Sequence, residues 1–91
     1  MILSDINVRG LAARTRYGQR IKLDLTVSKR AENRFTINGF SREGFGIDNF
    51  IAEKRMLEHL TARNFDTDWA PEIELVLIEP LDLEKLFGLP N

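Results

Sequence analysis

Arg14, Arg16, Arg20, Lys22, Lys29, Arg30 and Arg34 all fall between positions 14 and 34 of this 91-residue chain. Guanidinium and ammonium groups at that density suit one chemistry above others: neutralising phosphates or carboxylates arrayed along a partner, each contact adding affinity that salt removes. The acidic residues lie elsewhere. Residues 1–45 hold nine Lys/Arg against four Asp/Glu, a net +5, and residues 46–91 hold four against ten, a net −6. The overall charge of −1 conceals two opposed blocks, and such asymmetry is the footprint of a charged binding surface. Two features weigh against a phosphate-binding face. Asp24 lies among the cations, and the whole-chain pI of about 5.8 is acidic where dedicated nucleic-acid domains are usually basic.

Other chemistries lack their residues. With no cysteine there is no disulfide framework and no thiolate metal site. His59 is the only histidine, so no His pair can hold a metal or serve a triad, and beside Glu58 it reads as a surface residue. Asp66-Thr67-Asp68 lacks the glycine and terminal glutamate of a calcium loop. Ser4, Ser28 and Ser41 sit in no nucleophile elbow. Gly39 and Gly44 have P-loop spacing, but Phe45 stands where lysine is required. Gly44-Phe45-Gly46 fails as an RNA-recognition segment because Glu43 separates Arg42 from Gly44 and Asp48-Asn49 interrupts the strand that should continue. Neither a catalytic apparatus, a metal nor a cofactor is expected.

The elements that must carry the cations are read from periodicity. Ile21, Leu23, Leu25 and Val27 alternate with Arg20, Lys22, Asp24 and Thr26, predicting a half-buried strand. Tyr17-Gly18 predicts a two-residue hairpin turn to a preceding strand, setting Val8, Gly10 and Ala12 opposite Val27, Leu25 and Leu23. Arg9 then shares the outer face with Arg20, Lys22 and Thr26. Residues 34–39 predict a third strand with Phe35 and Ile37 inward, completing an antiparallel meander. Three glycines between Gly39 and Gly46 predict a loop. Asp48 or Asn49 then caps an expected helix to about Asn64, whose apolar stripe is Ile47, Phe50, Ile51, Leu57 and Leu60. A connector carrying Trp69, a fourth strand over residues 72–78 and a short tail helix, capped by Asp82 and ended by Gly88, complete the pattern.

The fold expected is therefore a single two-layer α+β domain: a β1–β2–β3 meander and a fourth strand packed on one main helix, with a short C-terminal helix. The function expected is non-enzymatic binding, with the seven cations presented on a sheet face to nucleic acid or an acidic protein surface. The alternative is a protein–protein adaptor or inhibitor, including a homodimer, that uses the acidic half of the chain and a tail in which Leu83, Leu86 and Phe87 engage the partner. No small-molecule substrate is indicated. The longest apolar run, Leu75–Ile78, is far short of a membrane span, and no basic-then-apolar leader opens the chain, so a cytoplasmic location is expected.

Overall fold

The computed structural model describes residues 4–64 and 72–88; Asp66, Asp68 and Trp69 lie outside the described residues. Six antiparallel strands run in sequence around a closed barrel: β1 (Ser4–Thr15), β2 (Arg20–Ala31), β3 (Arg34–Ser41), β4 (Phe45–Ala52), β5 (Met56–Asn64) and β6 (Ile73–Asp82). A single four-residue helix, α1 (Leu83–Leu86), follows. The expected α+β fold with a main helix is thereby overturned.

The segment read as that helix is two strands, β4 and β5, joined across Glu53–Arg55. The cause of the misreading is specific. A strand places every second residue inward, but a bulge adds one residue and turns a spacing of two into three. In β4 the inward residues are Phe45 and Ile47, then Phe50 and Ala52, with Asn49 at φ 49° between the two pairs. In β5 they are Leu57, then Leu60 and Ala62, across a register shift between Leu57 and His59 whose extra residues lie on the β6 side. Spacings of three at 47–50 and 57–60 imitate the i, i+3 stripe of an amphipathic helix.

A third bulge corrects the β1–β2 register. The turn has three residues, Arg16-Tyr17-Gly18, closed by Thr15 N–H donating to Gln19 O at 2.9 Å, with Gly18 at φ 85°. The extra turn residue sets Leu11 opposite Leu23 and Ala13 opposite Ile21, and Ala13 rather than Ala12 enters the core. Beyond the irregularity at Arg9-Gly10, Val8 faces Leu25 and Ile6 faces Val27. The expected Gly39–Gly46 loop is also shorter than read: only Arg42, Glu43 and Gly44 form the turn, and Gly39 and Gly46 are strand residues.

The core lies inside the barrel, where Leu23, Val27, Phe35, Ile37, Leu60 and Leu75 are almost wholly buried. Gly39 is required at the tightest point of the curl. A Cβ there would fall 2.5 Å from Leu25 Cδ2 and 3.0 Å from Leu25 Cα, and would also collide with the Asp24 carbonyl oxygen. Closure is uneven. β1 meets β6 through Ala13–Leu77, Arg14–Val76 and Thr15–Leu75, and β4 meets β5 only through Phe45–Asn64 and Gly46–Arg63. α1 packs across one end. Asp82 caps it by accepting from Lys85 N–H at 3.1 Å, Leu83 is fully buried, and the Phe87 ring lies 5.6 Å from that of Phe35. No helix is long and apolar enough to cross a membrane among the described residues.

Candidate polyanion-binding face

The barrel separates the seven predicted cations into two groups. Arg14, Arg16, Arg20 and Lys22 gather at the β1–β2 turn. Lys29, Arg30 and Arg34 belong to the β2–β3 end. Arg20 and Lys29 are nine residues apart on one strand, roughly 30 Å, in a molecule whose long axis is 40 Å. Strand rise alone therefore prevents the seven from forming one compact site.

At the β2–β3 end the cations are partly engaged. Lys29 is half-buried and paired in register with Phe35, and Arg30 Nε donates to Thr36 Oγ1 at 3.3 Å. Arg34 is exposed.

At the β1–β2 end the local sequence builds a rigid platform. The buried Thr15 hydroxyl oxygen accepts from Tyr17 N–H at 3.3 Å and from Gln19 N–H at 3.2 Å, fixing the turn from beneath. Arg14 stands directly opposite Arg20, so two guanidinium groups share one cross-strand position on the outer face. Like charges so placed destabilise a sheet. Lys22 faces the short Ala12 side chain. From the next turn, Arg42 lines the same shallow recess as Arg20 and Lys22, and Glu43 accepts from the Lys22 backbone N–H at 3.3 Å. Arg16 lies over the Tyr17 ring, 5.1 Å from its centroid, with Tyr17 79% exposed.

Arg42 is the cation that sequence reasoning misses, because its segment reads as an open loop. The three-residue turn brings it beside Lys22. Asp24, which argued against a phosphate surface, also serves the fold. Its Oδ1 accepts from Gly10 N–H at 2.9 Å and pins the β1 bulge. Among the described residues, Arg55 pairs with Glu84, Arg63 pairs with Glu72, and the His59 imidazole contacts Glu74. All three lie within the negative half of the chain, and none draws on the β1–β2 cations.

The three residues expected to meet a partner are placed otherwise. Leu83 is inside the barrel, and Leu86 and Phe87 are half-buried against its core. They close one end of the chain's own fold. Among the described residues no three His, Asp or Glu side chains gather as a metal site. No protein-family model, curated protein or solved structure matches this chain.

Proposed function

We propose that this protein is a non-enzymatic binding module whose β1–β2 end holds a polyanion through Arg14, Arg16, Arg20, Lys22 and Arg42. The observation that carries this reading is the Arg14–Arg20 pair. Two guanidinium groups directly opposed across strands, with no carboxylate paired to either among the described residues, cost stability in the free protein. An anion set between them removes that cost and adds charge-assisted hydrogen bonds. The rigid turn beneath keeps the cations in place, so little ordering entropy is lost on binding. Lys29, Arg30 and Arg34 form a separate basic group that a long polyanion reaches only by running the length of β2. A cytoplasmic location belongs to the same proposal, being a compartment where nucleic acid is at hand and a cysteine-free chain forgoes nothing.

The test is binding to polyphosphate, heparin and nucleic acids as a function of salt. With roughly four phosphates neutralised on a single strand, the slope of log K against log salt is about −3, and a fourfold rise in salt weakens binding roughly 50-fold. The double substitution Arg20→Glu with Lys22→Glu abolishes binding while the barrel stays folded. Absence of binding to every polyanion at low salt refutes the proposal.

A further inference from the structure

Next to the basic end, the outer face of β1–β4 forms an open groove of about 660 Å³. This is within the usual range of ligand sites, about 300–1,000 Å³. Among its lining residues is Phe40, 60% exposed although it belongs to a regular strand position opposite Asp24. A large aromatic left in water on a sheet face offers a flat surface for stacking.

The polar groups around it have a definite remaining capacity. Asn7 and Asn38 line the groove together with Thr26, the cation Arg9 and a second carboxylate, Asp48. Asn7 Oδ1 accepts from the Thr26 hydroxyl at 3.0 Å, and Asn38 Oδ1 accepts from Asn49 N–H at 2.8 Å. Each amide oxygen has thus one of its two lone pairs engaged by the fold, and both amide NH₂ groups are left to donate. Asp24 gives one oxygen to Gly10 N–H, leaving the other to accept. Phe40 is two residues from Arg42, and Asp24 is two residues from Lys22, so the stacking surface lies one strand repeat, roughly 7 Å, from the cations.

A stacking ring, two amide donors and a carboxylate acceptor, placed one nucleotide step from a phosphate-neutralising cluster, match the parts of a nucleotide. The donors meet base carbonyls or ring nitrogens, and the carboxylate meets an exocyclic amine. A base reaches Phe40 only if it is unstacked and unpaired, which a duplex does not offer. We propose that the polyanion is single-stranded nucleic acid, with its backbone on Arg20, Lys22 and Arg42 and a base stacked on Phe40 between Asn7 and Asn38. This inference rests on the polyanion-binding reading and specifies its ligand.

The experiment measures anisotropy of labelled single-stranded oligonucleotides, the matching duplex, and heparin, against the intact chain and three variants: Phe40→Ala, Phe40→Leu and Arg20→Glu with Lys22→Glu. Circular dichroism and thermal melts confirm that each variant is folded. The expected result is tighter binding to single strands than to duplex, with Phe40→Ala weakening single-strand binding about tenfold and leaving heparin binding unchanged. Phe40→Leu, which keeps bulk without a π-face, loses nearly as much. Equal binding of duplex and single strand, or single-strand affinity unmoved by Phe40→Ala while the Arg20/Lys22 variant abolishes it, overturns the inference and leaves the polyanion reading standing. Binding of none of the three probes overturns both.

Discussion

On and beside β5, β6 and α1, basic side chains and carboxylates answer one another: Arg55 with Glu84, Arg63 with Glu72, and the His59 imidazole in contact with Glu74. On the β1–β2 hairpin, Arg14 faces Arg20 across the ladder, and Lys22 has Arg42 in the adjoining recess. The two regions differ in what their charge is for. Exposed ion pairs contribute little to stability, but they neutralise the acidic half locally. The three carboxylates so paired, Glu72, Glu74 and Glu84, take their partners from within residues 46–91, and none draws on the cations of the β1–β2 hairpin. Charge segregation along the chain has become a division between a self-satisfied surface and an unsatisfied one.

The comparison breaks most severely if the curved sheet itself fails. Gly39→Ala drives a Cβ into the Leu25 side chain and the Asp24 backbone, and the expected loss of stability is ~3 kcal/mol, read by chemical denaturation. The outer face should disappear with it, since Asp24 and Phe40 both flank that point. A stable Gly39→Ala variant would show that β2 and β3 need not approach so closely.

Next in size is the loss of the α1 cap. Asp82→Ala removes the acceptor for Lys85 N–H and costs about 1 kcal/mol in a thermal melt, because the short helix holds Leu83 and Phe87 on the barrel end. Polyanion affinity, measured on the folded variant, should not change, since that helix is remote from the β1–β2 turn.

Arg20→Thr sharpens the contrast by separating stability from binding. Removing one guanidinium of the opposed pair should raise stability by about 0.5 kcal/mol at low salt, with the gain fading as salt rises. The same substitution should weaken polyanion binding. A variant that loses stability at low salt would mean that Arg14 and Arg20 do not repel. The smallest effect belongs to the acidic side: Glu74→Gln removes the His59 contact, and the melt should move by less than ~0.5 kcal/mol with binding unaltered.

Parts of this structure were legible in the residues. The alternation of Ile21, Leu23, Leu25 and Val27 marks β2 without ambiguity, because that strand keeps a strict period of two over its buried length. Phe35 and Ile37 do the same for β3. Asp82 and Gly88 bracket the only helix among the described residues, since capping is a local transaction between a side chain and the next turn. β4 and β5 were not legible as strands. Each carries an irregularity within eight or nine residues, and the resulting spacing of three is shared by helices and bulged strands alike. Nothing local separates the two; the choice falls to the neighbouring strands, β3 and β6, which provide ladder partners that a helix would forgo.

The candidate face divides in the same way. Composition and position alone determined that the first half of this chain is cationic, that cysteine and paired histidine chemistry is absent, and that β2 presents Arg20 and Lys22 on one side. Only the tertiary structure decided which cations stand together. The rise of β2 holds Lys29, Arg30 and Arg34 at one end and Arg14, Arg16, Arg20 and Lys22 at the other, and the packing of the β3–β4 turn beside β2 added Arg42. The physical reason is that charge is a property of each residue, whereas proximity depends on register, and register is settled by one extra residue in a turn and by bulges whose cost or benefit is felt only when six strands close around a shared core.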